Sequence, residues 1–509
     1  MTPPPQPGGS ILARQDTLFL FACLLCAVPV LASTYPPMVD MPQHAAQIES
    51  VRGYLQGRWA FAELFELKLF TPYWLGYGVA YLLSGAVGIV WGTKLTVAAA
   101  ACALPWAIAR FCNRAGTDPR WNWLFLLLPF GYAYDWGFLN FYVALPFAFL
   151  FLHAVLEHRD ASSGKTWVAI LLWLHFLFFA HVLVTAFSCV IALLLLGEPW
   201  QGARQWIRRS LPVLGVLPVT LAWTATTFGN VGAVGLSHTF WDHGLHRLVN
   251  LPPMLVAAPT NFPGYLVALF ALAAPWLTGA RPAHPWRWLP FAFYLAWMLF
   301  FAHHIFGNSH TYQRFGNMGL PLYLLCFRPA AGAAHPRRNT IAALGAVVVA
   351  ISMLGWATIR AAVFNAETRA YSNVMAAAQP GRRVLMLTMD SSSRASDAPL
   401  LLHFPAWYQA EHGGLAEFSF ARFDVTPLSY RDPEASRIGI GFEWRPNTFN
   451  WAAHKGELYD YIVVRSPMDQ SAALYAISDC RVSLLANEGP WWLYARTPDE
   501  AGRQPGCRD

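Results

Sequence analysis

Ile341–Ile359 reads IAALGAVVVAISMLGWATI, an uncharged apolar run, and the chain beyond it soon reaches Arg383–Met389 (RVLMLTM), bracketed by Pro380-Gly381-Arg382 and Asp390-Ser391. The first run is long enough to cross a bilayer, for which a helix needs roughly 20 mostly apolar residues. The second is too short for that and, with turn residues at both ends, predicts a buried strand. The change between them divides the chain into a membrane part and a water-soluble tail. Toward the N-terminus similar apolar runs recur at Leu18–Ala32, Thr93–Ile108, Phe138–Leu156 and Leu211–Thr227. Of 509 residues, 56% are hydrophobic and 12% charged, against about 25% charged in a typical soluble domain. A soluble fold cannot bury so many such runs.

Charge changes along the chain as well. Up to Val363 there are 21 Lys+Arg and 11 Asp+Glu, and after it 14 and 17, so the net charge of +7 belongs to the membrane part. No basic stripe with interleaved aromatics is present, which argues against a nucleic-acid partner; basic loops facing anionic membrane lipids account for the charge. Six of the eight Cys lie in or beside apolar helices without metal-ligand spacing and read as packing residues. Cys480 and Cys507 fall in the tail, where one disulfide is open to them if the tail is extracytoplasmic. Met1–Ser10 is rich in Pro and Gly, and residues 1–16 are expected to be a disordered cytoplasmic N-terminus. Leu18–Ala32 is followed by the Tyr35-Pro36-Pro37 turn, with no small-residue cleavage site, so it reads as an anchor helix.

The positive-inside rule orients the helices. Basic loops at Arg14, Arg110–Arg120, Arg159–Lys165, Arg204–Arg209, Arg281–Arg287 and Arg328–Arg338 hold 14 of the 21 basic residues and are placed in the cytoplasm. The segments between them face outward: Thr34–Gly92, Tyr134–Asn140, a tight turn near Ala180–His181, Gly229–Phe262 and His303–Arg314. Parity then requires that Tyr73–Val90 not cross; with four Gly and a Ser it reads as a re-entrant or interfacial helix on the outer face. The expected architecture is a membrane all-α domain over 17–363 with about 11 transmembrane helices, a long first outer loop at 34–92, and a small soluble α/β domain over 364–509. The weakest steps are the short helices around His175 and His181 and the one from Phe315 to Phe327.

Six acids of the membrane part face outward on this map: Asp40, Glu49, Glu63, Glu66, Asp135 and Asp242. Asp40 opens Asp40-Met41-Pro42-Gln43-His44 in a Pro-stiffened turn. An amphipathic stretch follows, with Ile48, Val51, Leu55 and Trp59 at helical spacing. Two readings of Asp40 stand together. It can cap the helix that starts near Pro42, or it can serve as general base toward a hydroxyl acceptor. Glu49, Glu63 and Glu66 read as a solvated interfacial face.

At this point the chain resembles the GT-C class of integral-membrane glycosyltransferases, which use polyprenyl-phosphate-linked sugars. The features that carry it are an acid just after the first helix, a long outer loop, a basic residue at the start of the next span, many short helices and an extracytoplasmic tail. The first loop is most similar to bacterial members that read roughly Asp-x-Pro-x-His. The resemblance implies that Asp40 is the catalytic or acceptor-orienting carboxylate, with His44 beside it, and that Lys94 contacts the lipid phosphate. Neither an adjacent Asp-Asp pair nor an Asp-Glu pair is present in this loop, and no cofactor is expected.

In Tyr132–Phe141, Asp135 and Asn140 sit among aromatics, which suits a sugar-binding surface as well as it suits an interfacial aromatic belt. His303–Arg314 holds His303, His304 and His310 with Arg314 at a helix mouth. Arg314 either binds the carrier phosphate bidentately or snorkels. The three His lack a nearby Cys or carboxylate in sequence, so zinc is not expected. His181 lines the cavity or caps a helix hairpin, and His175 reads as a core residue. In the tail, Arg383–Met389, Tyr459–Val464 and Trp491–Arg496 are predicted strands. His403, Trp407 and Tyr408 either pack in the core or reach an acceptor, core packing being the preferred reading, and no phosphate loop or nucleophile elbow occurs.

These readings lead to a bacterial inner-membrane glycosyltransferase with a cytoplasmic N-terminus and a periplasmic tail. Its partners would be a polyprenyl-phosphate-linked sugar, a glycan or lipid-linked acceptor and membrane lipids. The rival is a non-enzymatic transporter or envelope-assembly scaffold. A transporter should show inverted repeats with polar groups at the bilayer midplane; here the polar residues cluster at the outer edge.

Overall fold

The computed structural model describes residues 9–228, 239–242, 244–305, 308–329, 336–423, 425–478 and 481–497. The chain forms two compact units: one of residues 1–31, 97–134 and 140–359, the other of 32–96, 135–139 and 360–509.

The first unit is helical. Among the described residues, four helices are long and apolar enough to cross a membrane: Ile89–Arg114, Leu139–Asp160, Ala203–Thr227 and Arg337–Met375. The first and last of these run on into the second unit. Four shorter apolar helices of 10–17 residues accompany them, Thr17–Leu31, Gly164–Ala180, Val182–Leu196 and Phe262–Leu277, and a fifth, Trp74–Val87, belongs to the second unit. By length and composition, four described helices suffice to cross a membrane, so the expected count of about eleven depends on the shorter apolar helices as well. The helix Gly9–Leu25 starts inside the segment expected to be disordered, because the apolar run propagates helix back through Ile11–Gln15. The segment 315–327 is not a regular spanning helix. A 3-10 turn, Gln313–Met318, leads into the six-residue helix Gly319–Leu324. Gly316 and Gly319 explain the break: a side chain at Gly316 would meet the Met254 carbonyl at 2.8 Å, and one at Gly319 would meet Tyr294 Oη at 2.8 Å. Close packing, rather than helix continuity, sets this segment.

Loops grouped by charge do meet in this unit. Arg287 and Arg328 both donate to the Ala115 carbonyl, at 2.7 and 2.9 Å, where the helix Ile89–Arg114 ends. Cations there offset the negative end of the helix dipole and satisfy an orphan carbonyl. Arg114 pairs with Asp160 at 2.7 Å and Arg159 with Glu198 at 3.0 Å. The basic segments around 110–120, 159–165, 281–287 and 328 are thus joined by direct contacts.

The second unit corrects the expected domain boundary. The break at 363/364 falls inside the helix Pro336–Met375, and the tail shares its core with the first outer loop. The tail carries a five-stranded sheet in the order Leu415–Glu417, Arg383–Thr388, Tyr461–Arg465, Trp491–Arg496, Val482–Glu488; the first three are parallel and the last two antiparallel. Three of these are the predicted strands. Leu385, Leu387, Ile462, Val464 and Tyr494 bury one face against Phe418, Trp451 and Tyr459. The first loop contributes a strand of its own, Phe65–Leu67, which pairs antiparallel with Leu428–Tyr430. Phe65 stacks between Trp59 and Tyr430 at 4.7 and 4.4 Å. The helix Met41–Leu55 is largely buried within the second unit. Every residue from Met41 to Ile48 is buried, Gln409 reaches Ser50 Oγ at 2.7 Å, and only its end emerges, with Leu55 57% exposed. On its apolar face Val51 clusters with Leu415, Ala421 and Leu428 of the tail. Cys480 and Cys507 lie outside the described residues, so their pairing stays an expectation.

The segment Tyr73–Val90 forms the 14-residue helix Trp74–Val87, which stops at Gly88 with φ +82°. At 1.5 Å per residue it is about 21 Å long, short of a hydrocarbon core of roughly 30 Å. The next helix starts at once and folds back on it so closely that a side chain at Gly92 would sit 2.5 Å from the Ser84 nitrogen.

Candidate functional site

In the second unit the chain presents Asp40 from a turn that its neighbours hold on both sides. The backbone nitrogens of Val39 and Asp40 donate to the carbonyls of Asp135 and Trp136, each at 3.0 Å. Gly137, at φ +75°, allows this approach; a side chain there would meet the Asp40 nitrogen at 2.9 Å. Asp40 occupies the N-cap position of the helix Met41–Leu55 but makes no side-chain capping bond, so the capping role is positional. Its carboxylate is 13% exposed and lies 3.5 Å from Nε2 of His403.

One turn along, His44 Nδ1 bonds Tyr77 Oη at 2.7 Å. Between Asp40 and His44, the Gln43 amide donates to the Phe418 carbonyl at 2.7 Å and accepts from the Phe420 nitrogen at 3.1 Å. It therefore fixes the segment whose rings form a wall: His403 stacks on Phe418 at 6.1 Å and meets Phe420 edge-on at 5.3 Å, and His44 meets Phe420 at 5.6 Å. Burial, with His44 nearby, pushes the His403 imidazole down to about 3, so it is neutral. The sequence reading had left His403 and Tyr77 out of the site. Tyr77 lay in the segment set aside as interfacial, and His403 reaches the first loop only once the tail folds.

Lys94 is buried, at 3% exposure, and donates to the Ser33 carbonyl at 2.5 Å with its ammonium over the Trp91 ring. It anchors the start of the first loop rather than standing at an open surface. Asp135 is not turned toward a vacant sugar surface either. Its oxygens accept from Arg360 at 2.8 Å and from Ser396 at 2.9 Å. Burial raises its carboxyl above the usual range, with Arg360 acting against the rise. Beside it Trp136 stacks on Phe138 and tilts toward Trp444. Glu49 pairs with Arg52 at 3.2 Å and Glu66 with Lys68 at 3.6 Å.

In the first unit a second set of candidates gathers around an acid the sequence reading had not singled out. Asp242 binds Arg247 through its carboxylate and its carbonyl, accepts from Tyr312 Oη at 2.8 Å, and has His246 at 3.2 Å and His303 at 3.7 Å. Arg247 also donates to the carbonyls of Leu299 and Phe301, at 3.0 and 2.8 Å, and lies over the Tyr312 ring. Partial burial raises the Asp242 carboxyl, but the bonds from Arg247, Tyr312 and His246 outweigh it and bring it down to about 2. The missed signal was the Asp242–Arg247 spacing of opposite charges ahead of a helix. His310, at φ +59°, bonds Tyr132 Oη at 2.6 Å; burial, then Arg314 and His303, push it down to about 3. His304 bonds Ser309 Oγ at 2.8 Å, and Arg314 donates to the Ser309 carbonyl at 2.8 Å. His181 joins the helices Gly164–Ala180 and Val182–Leu196 in extended backbone, edge-on to Phe141. Asn140 is buried at the head of Leu139–Asp160, its Oδ1 unbonded among the described residues. Among the described residues no group of three or more His, Cys, Asp or Glu is placed to hold a metal ion.

No family model matches the chain, and no curated protein matches it. Among solved structures, one similar to it is described as "Crystal Structure of ArnT from Cupriavidus metallidurans bound to Undecaprenyl phosphate". The alignment covers 96% of this chain and 99% of that one, with 13% identity and a TM-score of 0.48. Neither value is high enough to assign site or activity to this chain.

Proposed function

We propose that this chain is a polytopic inner-membrane glycosyltransferase that moves a sugar from a polyprenyl-phosphate carrier to a glycan or lipid-linked acceptor on the periplasmic face. The observation that carries this reading is Asp40. It is a carboxylate held on a rigid turn, partly open, with the His403 imidazole 3.5 Å away. Such a group can take the proton of an acceptor hydroxyl. The acceptor oxygen then bonds the anomeric carbon, and the bond to the carrier phosphate breaks with its electron pair leaving on that phosphate. Fixed cations stabilise the departing charge. Lys94 and Arg314 are the candidates, each exchanging a backbone carbonyl for phosphate oxygens. His44, Asp135, Asn140, His181, His304 and His310 are the candidates for contacts to sugar and acceptor. Asp135 requires release from Arg360 for that role.

The orientation belongs to the same proposal. About eleven crossings, an inside N-terminus and an outside tail follow from the basic loops, and the contacts among those loops support it. The short helix Trp74–Val87 supports the non-crossing assignment on which the parity rests.

The test is the Asp40→Asn variant, compared with wild type for envelope glycan composition and for turnover of a polyprenyl-phosphate sugar. Loss of both in a stably folded variant supports the enzyme. Retention of both makes Asp40 structural and leaves the transporter or scaffold reading.

A further inference from the structure

The tail carries a cavity of about 280 Å³ that the mechanism above does not use, lined by Gly439, Ile440, Phe442, Arg445, Thr448 and His454. That is close to the lower end of small-molecule sites, about 300 Å³. It lies in the irregular stretch between the strands Leu428–Tyr430 and Tyr461–Arg465, within the second unit. The sheet core fixes one wall. Phe442 and Phe449 are buried in the cluster around Leu385 and Ile462, and the His454 ring packs on both, with centroids at 5.4 and 5.7 Å. The backbone then fixes the imidazole hydrogens. The Asn450 nitrogen donates to Nδ1 at 2.9 Å, so Nε2 carries the hydrogen of the neutral ring. Once protonated, Nδ1 donates instead to the Asn450 carbonyl at 3.0 Å, and Nε2 keeps its hydrogen. His454 is thus an N–H donor in both charge states, with no partner for Nε2 among the described residues.

Arg445 is exposed. Among the described residues its guanidinium makes no hydrogen bond or ion pair, whereas Arg437 on the same stretch reaches Glu434 at 4.0 Å. Glu443 is the acid that acts on Arg445; burial raises its carboxyl above the usual range, against the pull of backbone N–H groups and of Arg445. It does not line the cavity, and among the described residues no other carboxylate does. Thr448 spends its hydrogen on the Arg445 carbonyl at 2.7 Å. At Gly439 the space is open: its φ is not left-handed, and a Cβ there would meet nothing within 4 Å. A permanent cation and a ring N–H with no lining acid suit an oxyanion, which a guanidinium binds bidentately. Next to Arg445 in the chain, Trp444 is 52% exposed and lies 6.3 Å from Trp136. The Trp136 carbonyl in turn accepts from the Asp40 nitrogen at 3.0 Å. These rings, whose flat apolar faces suit sugar rings, lead from the cavity to the turn that presents Asp40.

We propose that this cavity is a subsite for an oxyanion-bearing sugar, a sugar phosphate or uronate unit of the acceptor. Arg445 and the Nε2–H of His454 hold the anion, and Trp444 lies under the neighbouring ring. The acceptor role rests on the glycosyltransferase reading; the binding of an anionic sugar does not.

The experiment titrates the full-length protein in detergent, by calorimetry, with glucose 1-phosphate, glucuronate, glucose and inorganic phosphate. Saturable binding is expected from at least one anionic sugar, which tells phosphate from carboxylate, and neither glucose nor inorganic phosphate should match it. Arg445→Gln should weaken binding by about 10- to 100-fold, as loss of a charged hydrogen bond does. Gly439→Trp, which fills the cavity, should abolish it; both positions are exposed, so the fold is little disturbed. No binding of either anionic sugar, equal binding of inorganic phosphate, or full affinity in Arg445→Gln each overturns the proposal. The same titration of Asp40→Asn separates the two readings. Anionic-sugar binding in a protein with no Asp40-dependent transfer leaves the subsite standing and removes the glycosyltransferase reading, whereas Asp40-dependent transfer without such binding removes the subsite alone.

Discussion

Asp40 in the second unit and Asp242 in the first are both acids of segments expected to face outward, and both have a histidine within reach. Their partners make them chemically different. Asp242 faces a guanidinium, a phenol and two imidazoles, and its carboxyl is held down at about 2. A carboxylate so stabilised is a poor base, and its counter-ion Arg247 spends its remaining hydrogens on backbone carbonyls. Asp40 faces a neutral imidazole across an aromatic wall. Asp242 organises its loop through Arg247 and Tyr312, and Asp40 is the acid for which chemistry is proposed. Asp135 lies between these cases: Arg360 pairs with it, yet burial still holds its carboxyl above the usual range.

The largest effect separating the two acids is expected in activity. Asp40→Asn should lower the transfer rate by about 10²–10⁴-fold with an unchanged thermal midpoint in detergent, whereas equal rates would end the distinction. Next in size is stability. Asp242→Asn removes the charge opposite buried Arg247, and breaking such a pair costs about 3 kcal/mol. Thermal unfolding should show this clearly, and no such loss should follow Asp40→Asn. The pH dependence sharpens the same point. The folded pKa of Asp242 lies below the ordinary value of about 3.9. Its contribution to stability is therefore present above about pH 4 and is lost as pH falls through about 2; unfolding midpoints in acid should show this loss in wild type and not in Asp242→Asn.

A smaller effect is expected at His310. His310→Ala removes the bond to Tyr132, worth about 1 kcal/mol. Because φ is +59° there, His310→Asn should be better tolerated than Ala, since Asn accepts left-handed backbone more readily; an equal loss of melting temperature in both variants would show that the bond, not the backbone, dominates. The smallest effect belongs to Asp135→Asn. With a raised folded pKa, Asp135 favours the folded state at low pH and loses that contribution as pH rises through the raised value. The amide mimics the protonated form but deprives Arg360 of its counter-charge, so the two changes oppose each other. Melting should shift by no more than about 1 kcal/mol.

Much of the architecture was legible because it rests on local pattern. Runs such as Ile341–Ile359 are helices whatever surrounds them, and RVLMLTM and WWLYAR are strands because turn residues bracket them. The strands Leu415–Glu417 and Val482–Glu488 were not legible. One is three residues long, and the other lies at a sheet edge with half of its residues exposed. What covers the amphipathic stretch Met41–Leu55 was not legible either: hydrophobic period identifies an apolar face but not what packs on it.

The sequence by itself determined that the chain is a membrane protein with an α/β tail, where its basic loops cluster, and that Asp40 follows the first helix in a stiffened turn. Apolar length, charge asymmetry and proline placement are one-dimensional quantities, so one dimension suffices to read them. Only the tertiary structure decided which groups gather around each acid. Asp242 finds Arg247 nearby in the chain, but His403 reaches Asp40 from the far end of it. Protonation and orientation depend on distances of a few ångströms, which spacing along the chain does not encode.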